Sequence, residues 1–419
     1  MQTDSRTGHF LFMNVGHAYD HLFMLLFPTV VLALEKDPLF ADSYGGLITL
    51  SVYGFIAFGA GAIPSGWLGD RWSRRGMMTV FFIGIGAASI VTGLARTPLE
   101  LALGLTVIGL FASIYHPVGI AMVASNARRL GRDLGVNGVY GNLGVACAGL
   151  SAGYMADTYG WRSAFIVPGV ISVVTGLAYA VYTRNLNLDV SKKKTSVRPE
   201  GVTMSELKRV FIIMIVVTIF GSVVFQATTV GMPKFFDDRL GDLASSATEV
   251  GEWVFVVFTL AAVAQIVVGN LLDKYPLKPV FVWITLGQVP LLVLAASANG
   301  PMMLIAAVAL MLLVFGNIPI SDTIIARYST DEWRSRVYAI KYVLGLGVSA
   351  LTVPLLGGIR DATGGFYWLF LLLTLFAAVE AAGALSMPGR KPAPVAAEQP
   401  KRHPGDQTYA TPRRCSGNR

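Results

Sequence analysis

The sequence predicts an all-α membrane protein of twelve transmembrane helices, built as two six-helix parallel repeats with both termini inside (N-in/C-in). Three observations carry this reading. Hydrophobic residues make up 54% of the 419 and charged residues only 14%, too apolar a balance for an ordinary soluble domain of this length. Twelve stretches are long and apolar enough to cross a bilayer; a span takes about 20 residues because each backbone polar group must be satisfied within its own helix. The decapeptide Gly66-Trp67-Leu68-Gly69-Asp70-Arg71-Trp72-Ser73-Arg74-Arg75 returns in outline one half-chain later, as Gly269-Asn270-Leu271-Leu272-Asp273-Lys274.

In chain order the expected spans cover 9–34, 45–68, 77–95, 99–124, 135–156, 162–183, 210–233, 247–272, 279–298, 301–326, 337–358 and 364–387. An even number puts both ends on one side, and loops rich in Lys and Arg stay cytoplasmic. With the N-terminus inside, all of the 33 Lys and Arg fall on the inner side except Lys36, Arg96, Arg162, Lys234, Arg239 and Arg360. The net charge of +8 is therefore a topology signal. No nucleic-acid partner is expected, since that would need a basic face on a soluble domain. The first stretch is longer than a signal-peptide core and lacks a small-residue cleavage site, so it reads as a signal anchor. Cys147 falls inside a span and Cys415 in the tail, which leaves no disulfide framework.

Residues 1–184 read as the N-terminal six-helix bundle, 185–209 as a cytoplasmic linker carrying Lys192-Lys193-Lys194, and 210–387 as the C-terminal bundle. Residues 388–419, rich in Pro, basic and small polar residues, read as a disordered cytoplasmic tail. The halves match elsewhere too: Arg132, Gly153, Asp157 and Gly160 correspond to Arg336, Gly357, Asp361 and Gly364 at an offset of 204. Six spans per half make the repeat parallel, with a symmetry axis along the membrane normal.

Twelve spans, the six-plus-six split and the Gly66 to Arg75 loop resemble the major facilitator superfamily over residues 9–387. Only Ser73 departs from the family loop pattern, where Gly is usual. The resemblance implies a secondary transporter in the inner or plasma membrane that works by alternating access. It implies a cytoplasmic gate in which Gly66, Asp70, Arg71, Arg74 and Arg75 take part. Asp70 would meet helix N-termini or Arg128 and Arg129, while the arginines hold the headgroups; Asp273 and Lys274 form a weaker second latch.

Chemistry concentrates in the first span, Asn14-Val15-Gly16-His17-Ala18-Tyr19-Asp20-His21. Asn14, His17 and His21 share one helical stripe and Asp20 lies beside it. Ionisable groups at this depth face a cavity or a partner. The fourth span offers one in Ser113-Ile114-Tyr115-His116-Pro117, with His116 at nearly the depth of His17. This pairing is similar to the fosmidomycin-resistance-type efflux proteins. The superfamily lines its central cavity with the first, fourth, seventh and tenth spans. His17, Asp20, His21 and His116 are accordingly the expected proton-coupling or substrate residues, since an imidazole of ordinary pKa about 6.5 exchanges protons near neutrality. Hydrogen bonding across the bundle is the plainer role for His21 and His116.

Asn14, Tyr115, Gln226 and Asn317 are expected as polar groups of the cavity. Asp322 and Lys341 lie near cytoplasmic span ends and can reach the interface; Glu380 in the last span receives no role. The fifth span lacks the Gly-Pro step of drug antiporters, which weakens antiport.

His17 and His21 also stand at the i, i+4 spacing of zinc peptidases, but Ala18 occupies the place of the general-base Glu, so an intramembrane metalloprotease is disfavoured and no enzyme is expected. The same cluster suits a divalent transition metal, whereas a mostly apolar cavity suits a small organic molecule. The expectation is a monomeric, proton-coupled exporter (antiporter) of a small organic compound, embedded in the lipid bilayer and using no cofactor or metal. Proton-linked uptake of an organic solute and transition-metal transport are the alternatives.

Overall fold

The computed structural model describes residues 2–40, 42–127, 130–184, 186, 204–328 and 331–389. Twelve long helical rods occupy them: α1 (Thr7–Leu34), α2 (Tyr44–Arg71), α3 (Arg74–Gly93), α4 (Pro98–Asn126), α5 (Leu130–Tyr159), α6 (Ser163–Thr183), α7 (Met204–Arg239), α8 (Ala247–Lys274), α9 (Leu277–Ser297), α10 (Gly300–Ile325), α11 (Asp331–Thr363) and α12 (Tyr367–Leu385). Eleven are long and apolar enough to span a membrane. The twelfth, α5, has the length, but glycines and Asn137 and Asn142 dilute its apolar character. α7 already begins at Met204, inside the segment expected as linker; the rest of that segment apart from residue 186, and the tail beyond 389, lie outside the described residues.

Side-chain caps set the register of several starts. Ser43, Ser73, Thr97 and Ser246 each accept a hydrogen bond from the main-chain N–H three residues on, which satisfies a donor the first turn would otherwise leave open. Gly160 and Gly364 close α5 and α11 with φ of 85° and 72°, a left-handed turn that favours glycine.

The packing repeats as the sequence does. α1 lies on α5, α3 on α6 and α2 on α4; correspondingly α7 lies on α11, α9 on α12 and α8 on α10. Between the halves α5 runs along α8, and α2 along α11. These crossings are backbone-close: a side chain at Gly153 would strike the carbonyl of Ala247, and one at Gly357 would strike Gly45. Large apolar side chains such as Val91, Val174, Trp283 and Leu351 stand on the outer faces, as a lipid-facing surface requires.

One end of the molecule, where α1 and α7 finish and α2 and α8 begin, is fastened across the halves. Lys234 of α7, nearly buried, holds Glu35 (2.8 Å), Asp237 (2.6 Å) and Asp238 (3.2 Å), and Arg360 reaches Asp238 at 3.3 Å. Two further latches are symmetric copies. Asp157, ending α5, accepts the N–H and hydroxyl of Thr248 in the first turn of α8, both at 2.6 Å. Asp361, ending α11, accepts the N–H of Gly45 in the first turn of α2 at 3.2 and 3.0 Å.

Candidate functional site

Between the halves lies a cavity of about 630 Å³, lined from mid-depth toward the Asp70 end. Its wall is mostly apolar, with Met24, Phe55, Phe58, Trp67 and Phe225 prominent, and carries few polar groups.

The first-half cluster is assembled by α1 and α4. α4 is regular to Ala112, passes through a π-helical turn at Tyr115–Gly119 and resumes at Ile120. Pro117 has no N–H to give the helix, and such wide turns recur at functional sites. The turn swings His116 toward α1, where its Nε2 stands 3.2 Å from Asp20 Oδ2. Asp20 is 0% exposed. The rings of His17 and His21 lie 5.4 and 5.6 Å from that of His116, and 5.0 Å from each other. His21 and His116 face the cavity; His17 and Asp20 sit immediately behind them.

Behind the cluster Asn137 of α5 acts as a hub. Its main-chain oxygen accepts from His17 Nδ1 (2.8 Å), and its amide nitrogen donates to Asn14 Oδ1 (3.0 Å) and Tyr115 Oη (2.8 Å). Tyr115 donates in turn to the carbonyl of Met13 (2.7 Å). Asn14 and Tyr115, expected on the cavity wall, therefore face the α1–α4–α5 junction and do not line the cavity. Their polar atoms are consumed in holding the cluster's backbone and rings, as buried polar groups must be. Asn137 was not foreseen; a lone amide between Val136 and Gly138 in a span was the available signal.

The second half repeats the arrangement with different chemistry. α10 breaks at Asn317, between Gly300–Gly316 and Ile318–Tyr328, near the position equivalent to His116. Asn317 Nδ2 donates to Glu380 Oε1 at 2.6 Å. Glu380, on α12, is 0% exposed, and its Oε2 has no hydrogen-bond partner among the described residues. Gly221 makes the space: a side chain there would meet the Glu380 carboxyl. Gln226, Asn317 and Glu380 all belong to the cavity wall. Lys341 also lies there instead of at the interface, donating to Asp322 Oδ1 (2.7 Å) and Ser321 Oγ (2.8 Å).

At the Asp70 end, Asp70 pairs with Arg74 of its own loop at 2.6 Å. Arg75 donates to the carbonyls of Thr183 and Arg184 at the end of α6 (2.9 and 3.2 Å), a favourable place for a cation. Arg71 stacks over Trp67, and Gly66 lies against Pro117. Arg128 and Arg129, expected partners of Asp70, lie outside the described residues. Asp273 and Lys274 are exposed where α8 ends.

Comparison with known proteins adds the following. Multidrug resistance protein MdtG of Escherichia coli is 23% identical over 361 residues, covering 82% of this chain and 87% of that protein. Among solved structures, a D-xylose-proton symporter superposes with a TM-score of 0.72 at 14% identity, covering 91% of this chain and 97% of that one. A POT family transporter in complex with 5-aminolevulinic acid gives 0.72 at 14% identity, over 90% and 94%. A bacterial homologue of the lysosomal transporter Spinster, inward-facing and unoccupied, gives 0.66 at 14% identity, over 91% and 95%. These likenesses establish the shared fold. The family model described as Major Facilitator Superfamily matches residues 20–242 and 240–410; with both halves of the repeat accounted for, the chain belongs to that superfamily, a multi-pass transporter of the plasma membrane and not an enzyme.

Proposed function

We propose that this transporter exports small, largely apolar organic compounds in exchange for protons, alternating access by rocking one six-helix half against the other as a monomer. The observation that carries the proposal is the placement of Asp20, His17, His21 and His116 as one contiguous proton-exchanging set at the wall of the cavity. A carboxyl with no solvent exposure, in contact with an imidazole that reaches the cavity, is where proton gain and loss can be tied to cavity opening. The apolar wall suits an organic cargo held by a few polar groups, here Gln226, Asn317 and Glu380. The multidrug-resistance relative favours export as the direction.

In the N-in orientation the cavity faces the cytoplasm, and the Lys234 network and the two aspartate latches close the outer side. Asp70, paired locally with Arg74 in this state, is the group that would control the gate when the cytoplasmic side closes. Lys341, held by Asp322, sets the charge at the cytoplasmic mouth.

The test is Asp20→Asn in proteoliposomes with an imposed pH gradient and a panel of organic compounds. The variant is expected to keep its thermal unfolding profile and to lose gradient-driven flux while retaining exchange of bound cargo. Gradient-driven flux equal to that of the unaltered protein refutes the assignment.

A further inference from the structure

The first-half cluster has a donor set and geometry beyond what proton exchange asks of it. One ligating nitrogen from each of His17, His21 and His116 lies within 4.8 Å of the others. His116 Nε2 and Asp20 Oδ2 are 3.2 Å apart. Two ligands of one tetrahedral ion with bonds of ~2.0–2.1 Å stand about 3.3 Å apart, so the Asp20 to His116 edge already has the required length. The three imidazole nitrogens need to close by up to ~1.5 Å, which side-chain rotation supplies, and Asp20, outside that set of three, becomes the fourth ligand by following His116 inward.

The surroundings prepare the ligands. His17 donates its Nδ1 proton to the Asn137 carbonyl, which leaves the lone pair on Nε2. That atom is buried and has no hydrogen-bond partner among the described residues. A backbone carbonyl gripping the far nitrogen is the usual support of a metal-binding histidine, because it fixes both tautomer and ring orientation. Asn137 is itself held by Tyr115 and Asn14, so the ring is anchored through two helices. His21 and His116 face the cavity, giving an ion a path in.

We propose that His17, His21, His116 and Asp20 form a binding site for one divalent late transition-metal ion, of the zinc and cobalt class, entered from the central cavity. Three neutral imidazoles and one carboxylate suit these ions and not magnesium or calcium, which take oxygen ligands. The ion would bolt α1 to α4 at one corner of the cavity while the apolar remainder stays open, so the site does not depend on the cargo reading; it uses the same side chains as the proton-exchanging set, and ion and proton compete for them.

The test uses the full chain carrying His403→Ala and Cys415→Ser, which remove the tail's own metal-binding side chains, purified and titrated with cobalt chloride alone. The expected result is a one-to-one complex with the strong visible absorption of four-coordinate cobalt, displaced by zinc chloride. His21→Ala and His116→Ala should each weaken cobalt binding at least tenfold, and His9→Ala, outside the cluster, should not. Either six-coordinate cobalt in the parent protein, or an unchanged spectrum in both cluster variants, overturns the proposal. Transport measured in parallel on metal-free vesicles tests the proton reading separately, since the two results can fail independently.

Discussion

The two aspartate latches permit a quantitative prediction about conformational balance. Asp157 and Asp361 each bring a carboxylate to an N–H in the first turn of a helix in the opposite half. A carboxylate at a helix N-terminus contributes ~0.3–1 kcal/mol when exposed and up to ~2 when partly buried. Both aspartates are exposed residues, so about 1 kcal/mol apiece is appropriate, with solvent screening already in that figure. Replacing one by alanine should shift the ratio of molecules open to molecules closed at the latched end about fivefold, and replacing both about thirtyfold. Asn at either position should fall between, because it still accepts the hydrogen bond but carries no charge. The assay is a distance distribution between spin labels at Leu39→Cys and Asp242→Cys, on the exposed loops flanking the latched end, in a Cys147→Ser, Cys415→Ser background. The double alanine variant should develop a longer-distance population that the parent scarcely shows. If its distribution matches the parent's, the latches are incidental surface contacts and the reasoning fails.

Two further outcomes concern stability. Lys234→Met strips the counter-charge from Glu35 and Asp237 and leaves Asp238 to Arg360 alone, and it should destabilise the protein by about 2 kcal/mol, less than the ~3–5 of a fully buried pair because Asp237 is 34% exposed; thermal unfolding in detergent reads it, and an unchanged midpoint contradicts it. Asn317→Ala removes the donor to the buried Glu380 carboxyl and should cost about 1–3 kcal/mol, whereas Asn317→Asp combined with Glu380→Gln, which restores a donor and acceptor pair, should recover most of it by the same measurement.

Helix number, repeat relation and the identity of the first-half cluster were legible because each rests on local pattern: apolar runs of span length, matched glycines and aspartates, and polar side chains where lipid forbids them. Even the pairing of His17 with His116 followed from depth alone. What stayed hidden depends on three-dimensional neighbours. Asp157 and Asp361 could be matched to each other along the chain, but the donor common to both latches is a main-chain N–H, which leaves no mark in a sequence. Glu380 stood out as a carboxyl in a span, yet its donor lies 63 residues away on another helix. Asn14 and Tyr115 shared the stripe or the segment of the histidines, and periodicity cannot say that α5 would come in behind them. Lys341 read as an interfacial side chain because its distance from the span end resembled that of a snorkelling lysine; the cavity and Asp322 supply a nearer aqueous face.

The main-chain nature of the latch acceptors' partners has a consequence for how the two halves can diverge. Gly45 and Thr248 occupy equivalent places and share almost nothing chemically, yet both serve, since each gives its aspartate a peptide N–H, to which Thr248 adds its hydroxyl. The two receiving positions are constrained differently: a side chain at Gly45 would strike the Asp361 carboxyl and the Gly357 carbonyl, whereas the side chain of Thr248 is itself part of the contact. Alanine at Gly45 should therefore break its latch by clash, alanine at Thr248 should weaken its latch only by one hydroxyl hydrogen bond, and a proline at either position should mimic loss of the acid it faces.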